Sequence, residues 1–209
     1  LMVLFSLQEL FEKAVPFLIL YIIFRRYKLK RKESTYYQTY HVYNYGVDKT
    51  TIFRDKKDIQ SFCELVNYYA EKYYIDIFAF CLIRHRYDML IRPKRGSFKD
   101  ISDFMQYAIG RYTMNFNKRS LKYFGKKRHG KIFGCKYYSI PINNEDELIK
   151  AVVEIHKKSK LDIEQLSDYE WSSFRKYLHR DNNDSCIHIS TMYFENIAPD
   201  ELIAMHKEL

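Results

Sequence analysis

The chain has 209 residues, 47% of them apolar, which is enough for a full hydrophobic core and excludes an extended disordered polypeptide. Its 35 Lys and Arg outnumber 26 Asp and Glu, giving a formal charge of +9 that favours an anionic partner, either nucleic acid or a membrane surface. Cys63, Cys81, Cys135 and Cys186 show neither a Cys-x-x-Cys spacing nor a nearby zinc-type His, so free thiols in a reducing, cytoplasmic setting are expected rather than a disulfide or zinc framework.

Residues 1–35 form a distinct extension. Residues 1–13 are amphipathic, residues 14–24 are apolar, and Arg25, Arg26, Lys28, Lys30, Arg31 and Lys32 follow as a basic cluster. A membrane span needs about 18 apolar residues in a row, more than this run supplies. Three readings stay open: a packed helix, a membrane anchor through residues 1–32, or an extension with no function of its own.

From Tyr36 onward the pattern is that of a compact domain. Residues 39–44 are β-prone and Gly46 ends them. Ile59, Phe62, Leu65, Val66, Tyr69, Ala70 and Tyr73 recur at three and four, predicting a helix over 55–74. Residues 77–83 are continuously apolar, as in a strand covered on both faces, and 86–92 pair back onto them before Pro93. A second helix starts at Ser97 or Asp100, buries Ile101, Phe104, Met105, Ala108, Ile109, Tyr112 and Phe116, and runs out near Arg119. After a basic loop comes a strand over 136–142. Asn144 can cap a third helix, whose first turn holds Glu145, Asp146 and Glu147 and whose buried stripe is Leu148, Ile149, Val152, Val153 and His156. A Trp-centred turn and a short helix over 199–207 complete the tail. The order predicts an α+β, ferredoxin-like β-α-β-β-α-β arrangement, an antiparallel sheet with helices on one face, plus a third helix and a C-terminal tail. The divisions are the extension 1–35, a domain over 36–178, and a tail over 179–209.

Several segments of this domain carry a family likeness. They are Tyr40-His41-Val42 with Asn44, Gly46 and Ile52-Phe53; Phe104-Met105-Gln106 with Gly110-Arg111-Tyr112 and Phe116-Asn117; Gly130-Lys131-Ile132-Phe133 through Tyr138-Ser139; and Tyr169-Glu170-Trp171-Ser172-Ser173-Phe174. In this order and spacing the chain resembles the single-tyrosine HUH transposases, in particular the REP-associated tyrosine transposases. The resemblance implies a homodimer that cuts single-stranded DNA beside a hairpin. In such enzymes two His, one residue apart on a central strand, hold a divalent metal, and a Tyr on the third helix attacks the phosphate.

Those catalytic positions are altered here. The two His positions fall on Arg86 and Asp88, and the Tyr position on Glu154. Asp88 could ligate magnesium, but Arg86 stays protonated and repels a cation. His85 is one residue early and belongs to the opposite side of the sheet. No Tyr lies between Tyr138 and Tyr169. His41 and His156 read as packed side chains, and Trp171 with its Ser pair as structural.

Binding does not need these groups. From Lys118 to Lys136 there are eight Lys or Arg and no Asp or Glu, interleaved with Tyr123, Phe124 and Phe133. Basic side chains track phosphates and aromatic faces stack on unpaired bases. The candidate DNA contacts are Arg84, Arg86, Arg111, Lys118, Arg119, Lys122, Tyr123, Lys126, Lys127, Arg128, Lys131 and Lys136, with Arg84 and Arg86 placed to hold a phosphate where the metal would sit. The expectation is a transposase-like protein that binds single-stranded or hairpin DNA without cleaving it and without a cofactor. One alternative is an active nuclease using magnesium or manganese on rearranged ligands such as Asp88 and His85. The other is a membrane-associated adaptor anchored by residues 1–32.

Overall fold

The computed structural model describes residues 39–125, 128–179, 185–191 and 197–208. The extension 1–35, with the membrane anchor considered for it, and Lys126 and Lys127 lie outside these residues. Strand β1 (Thr39–Tyr45) leads to helix α1 (Lys56–Lys72), the hairpin β2 (Ile75–Ile83) and β3 (Arg86–Pro93), helix α2 (Phe98–Phe124), strand β4 (Tyr138–Ile142) and helix α3 (Glu145–Lys157). Short helices α4 (Ile163–Asp168), α5 (Phe174–His179) and α6 (Pro199–Glu208) follow. The four strands form one sheet in the order β2-β3-β1-β4, every neighbouring pair antiparallel. This is the split β-α-β arrangement that the order of elements predicts.

The sheet is covered on both faces. Val42, Phe80, Leu82, Tyr87, Met89 and Ile91 pack under α1 and α2 on the first face. On the second face, Ala79, Cys81 and Leu90 pack under α3 with Leu148, Val152 and Ile155. The third helix therefore sits opposite the other two. A bulge at Phe78 shifts the register between Ile77 and Ala79. As a result Phe78 and Ala79 both contribute to the second core, and the usual alternation resumes at Phe80.

Local chemistry sets the helix ends. Asp55 caps α1 by accepting from the Asp58 N–H, and Asn144 caps α3 by accepting from the Glu147 N–H at 2.9 Å. The Glu147 carboxylate reaches back to the Asn143 N–H at 2.8 Å. Helix α2 runs five residues past the expected end at Arg119, because its stop is Gly125, which takes the left-handed conformation at φ 65°. Strand β4 begins at Tyr138, two residues later than expected. No helix of the described residues is long and apolar enough to cross a membrane.

Gly46 ends β1 in close quarters. Its N–H donates to the His85 carbonyl at 3.0 Å, tying β1 to the β2–β3 turn. A Cβ here would lie 2.1 Å from the Thr50 carbonyl oxygen, a backbone atom. Gly46→Ala is expected to cost about 1–3 kcal/mol, read as a lowered urea midpoint.

Candidate nucleic-acid interface

Strand alternation places Arg86 and Asp88 side by side on the second face of the sheet. They do not form a cation site. Asp88 is fully buried, and Arg86 grips it with two hydrogen bonds, Nε to Oδ2 and Nη2 to Oδ1, both 2.6 Å. His41 on β1 approaches the same carboxylate, Nε2 to Oδ1 at 2.9 Å. Burial alone would raise the Asp88 pKa. The hydrogen bonds from His41 and Arg86 outweigh it and hold the carboxyl below its usual range. Burial likewise disfavours the Arg86 charge, and the Asp88 carboxylate more than restores it. The charge of the guanidinium beside the carboxylate opposes a divalent ion. These residues do not fit a metal.

Beyond Arg86 lies a comb of tyrosines. The Arg86 guanidinium sits 4.3 Å from the Tyr43 ring centroid. Tyr43 stacks on Tyr138 at 4.9 Å, and Tyr138 on Tyr45 at 5.6 Å. The Tyr45 and Tyr138 hydroxyls are 2.8 Å apart. The comb covers the β1–β4 half of the face that α3 leaves open. The strand period of two puts Tyr43 and Tyr45 on one side, which is its signal in the sequence. The cross-strand partner Tyr138 has no such signal.

The other predicted positions are scattered. His85 is exposed in the β2–β3 turn, and Glu154 is exposed on α3 between the buried Val153 and Ile155. His156, on the same helix, is fully buried. Its Nε2 meets the Ser173 hydroxyl at 2.7 Å, and its Nδ1 meets His206 Nε2 at 3.0 Å.

The basic residues fall into two groups. Arg119 is bound by Asp55 and by the buried Asp58, and Tyr123 donates to Asp55. Arg54 completes this cluster, bound to Asp58 through Nε at 2.8 Å with its guanidinium 3.8 Å from the Phe116 ring centroid. Arg84 binds the Thr51 hydroxyl at 3.0 Å and Arg128 the Lys131 carbonyl at 3.2 Å. Arg111, Lys118, Lys122, Lys131 and Lys136 are exposed. Arg111, Lys118 and Lys122 lie on one outward stripe of α2, and none of them pairs with a carboxylate among the described residues. Between Asp103 and Glu145 the chain has nine Lys or Arg and no acid.

In sequence, neither a protein-family model nor a curated protein matches the chain. In structure it is similar to a REP-associated tyrosine transposase solved bound to a REP hairpin, at a TM-score of 0.52 and 13% identity. The match covers 78% of this chain and 99% of that one. At that identity the likeness is one of fold, and it is the fold of the family that the sequence resembles.

Proposed function

We propose that this is a transposase-like DNA-binding protein that recognises hairpin or single-stranded DNA and does not cut it. The observation that carries this reading is the buried Asp88 carboxylate, held by Arg86 and His41. An internal ion pair fills the position where the family's chemistry requires a cation. Glu154 adds a negative charge where an attacking Tyr would be needed, and a carboxylate there repels a phosphate. The acid-free stretch between Asp103 and Glu145 supports DNA as the partner, and the fold shared with a hairpin-bound transposase agrees with it.

The test uses the full chain with end-labelled DNA hairpins and matched single strands, with and without manganese, on native and denaturing gels. Retention of the hairpin that weakens steeply with salt, with no cleaved product, is the expected result. Manganese-dependent cleavage would overturn the silent assignment. A chain that retains neither DNA would overturn the binding assignment.

A further inference from the structure

We propose that the exposed stripe of α2 is the surface that takes the paired stem of a DNA hairpin, with Gly110 as the point of closest approach of the sugar–phosphate backbone. This rests on the DNA-binding reading above and assigns it a place on the molecule. Tyr107, Arg111, Met114, Lys118, Leu121 and Lys122 recur with Gly110 at helical spacing, and all are exposed. The opposite side of the helix, Phe104, Ala108, Tyr112 and Phe116, is buried. Arg111 and Lys122 are separated by about 16 Å along the axis, a length over which a duplex carries on the order of nine phosphates.

Gly110 is the feature that the fold itself leaves unexplained. A glycine inside a helix is unfavourable relative to alanine. Its φ is not among the positive values of the chain, and a Cβ there would meet nothing within 4 Å. Neither backbone conformation nor internal packing uses the missing side chain. What the glycine provides is clearance on the outside, next to Arg111 and between Tyr107 and Met114. An anionic backbone matches a clearance beside three cations that pair with no carboxylate among the described residues, whereas a neutral helix would leave those charges against apolar surface.

The chemistry of the stripe suits paired DNA better than unpaired DNA. Stacking on unpaired bases needs a free aromatic face. Tyr107 is the one aromatic ring on the stripe; it is 47% exposed and already stacks on Tyr69 at 6.0 Å and Tyr73 at 5.6 Å, so the stripe offers no series of rings for successive unpaired bases. Met114 and Leu121, each 50% exposed, flank Lys118 and offer apolar contact to the sugars. A straight helix with cations, apolar contacts and a notch suits the regular backbone of a stem.

The substitutions Gly110→Ala and Gly110→Leu test this, with hairpin and single-strand affinities measured on the full chain. Alanine is expected to raise the urea midpoint and still weaken hairpin binding about threefold. Leucine is expected to weaken it tenfold or more, with single-strand binding changed less than twofold. Lys118→Ala should lower the slope of log affinity against log salt by about 0.9, as loss of one duplex phosphate contact requires. Wild-type hairpin affinity in both Gly110 variants would overturn the stem assignment and leave the DNA-binding reading intact. So would a change in self-association of the DNA-free chain by sedimentation, which would make the stripe a contact between two copies. Failure of the wild-type chain to hold any hairpin would instead overturn the underlying reading.

Discussion

Asp88→Ala is expected to lower folding stability by about 3–5 kcal/mol, the range for removing one partner of a buried ion pair. The substitution strips the Arg86 guanidinium of the carboxylate that accepts both its Nε and Nη2 hydrogen bonds, and leaves His41 Nε2 without that partner. Arg86 is only partly exposed, so water replaces these bonds poorly. The double variant Arg86→Leu with Asp88→Leu should recover most of the loss, because a pair of apolar side chains removes both desolvated charges together. Urea unfolding at pH 7 of the wild type, the single variant and the double variant measures this coupling. Equal losses in the single and double variants would mean that the two residues act independently. The pH sign follows from the depressed Asp88 pKa. Its contribution is present above the unfolded carboxylate value near 3.9 and is lost as pH falls through the lower folded value.

The placement of Arg86 and Asp88 on one face was legible from the strand period, but their bond with His41 was not. Alternation says which residues share a face. It does not give the register of β1 against β3, which sets His41 opposite Leu90 and next to Asp88. The same limit applies to the basic segment. Arg119 and Tyr123 read as DNA contacts because no acid is near them in sequence, yet α1 brings Asp55 and Asp58 to them across the helix pair. Long elements were legible because their periodicity extends over many residues. Helices α4 and α5 were not, since six residues each give little periodicity and tertiary bonds hold them. Tyr169 donates to the Leu82 carbonyl at 2.7 Å, Tyr177 to that of Phe78, and the Phe80 N–H donates to Ser173 at 2.9 Å. The bulge at Phe78 was hidden for another reason: in a strand apolar on both sides, one extra residue leaves no break in the pattern.

The C-terminal helix should be released by acid through a chain of neutral histidines. His206 Nδ1 donates to the Leu202 carbonyl at 2.8 Å, so its Nε2 is an acceptor. His156 Nδ1 must then donate to it, and His156 Nε2 accepts from the Ser173 hydroxyl. Every ring nitrogen is matched with both histidines neutral, and a proton added to either ring must be held as a charge in a site closed to water. Burial pushes the His206 pKa down to about 4; the Leu202 carbonyl resists this and the Lys157 charge adds to it. Burial, and then His206, hold His156 well below its ordinary value. Both folded values lie below the unfolded value of 6.5, so the unfolded chain binds more protons once pH drops below 6.5. Stability therefore falls between about pH 6.5 and pH 4, by about 3 kcal/mol for His206 alone. Because His206 lies on α6 and His156 on α3, the loss should appear first as undocking of α6 from α3 and α5. Hydrogen exchange of residues 199–208 at pH 7 and pH 4.5, alongside urea unfolding at both, measures it. The variant His206→Gln removes one titrating ring, and its stability should change less over this interval than that of the wild type. An identical pH dependence in the two proteins would place the acid sensitivity elsewhere in the molecule.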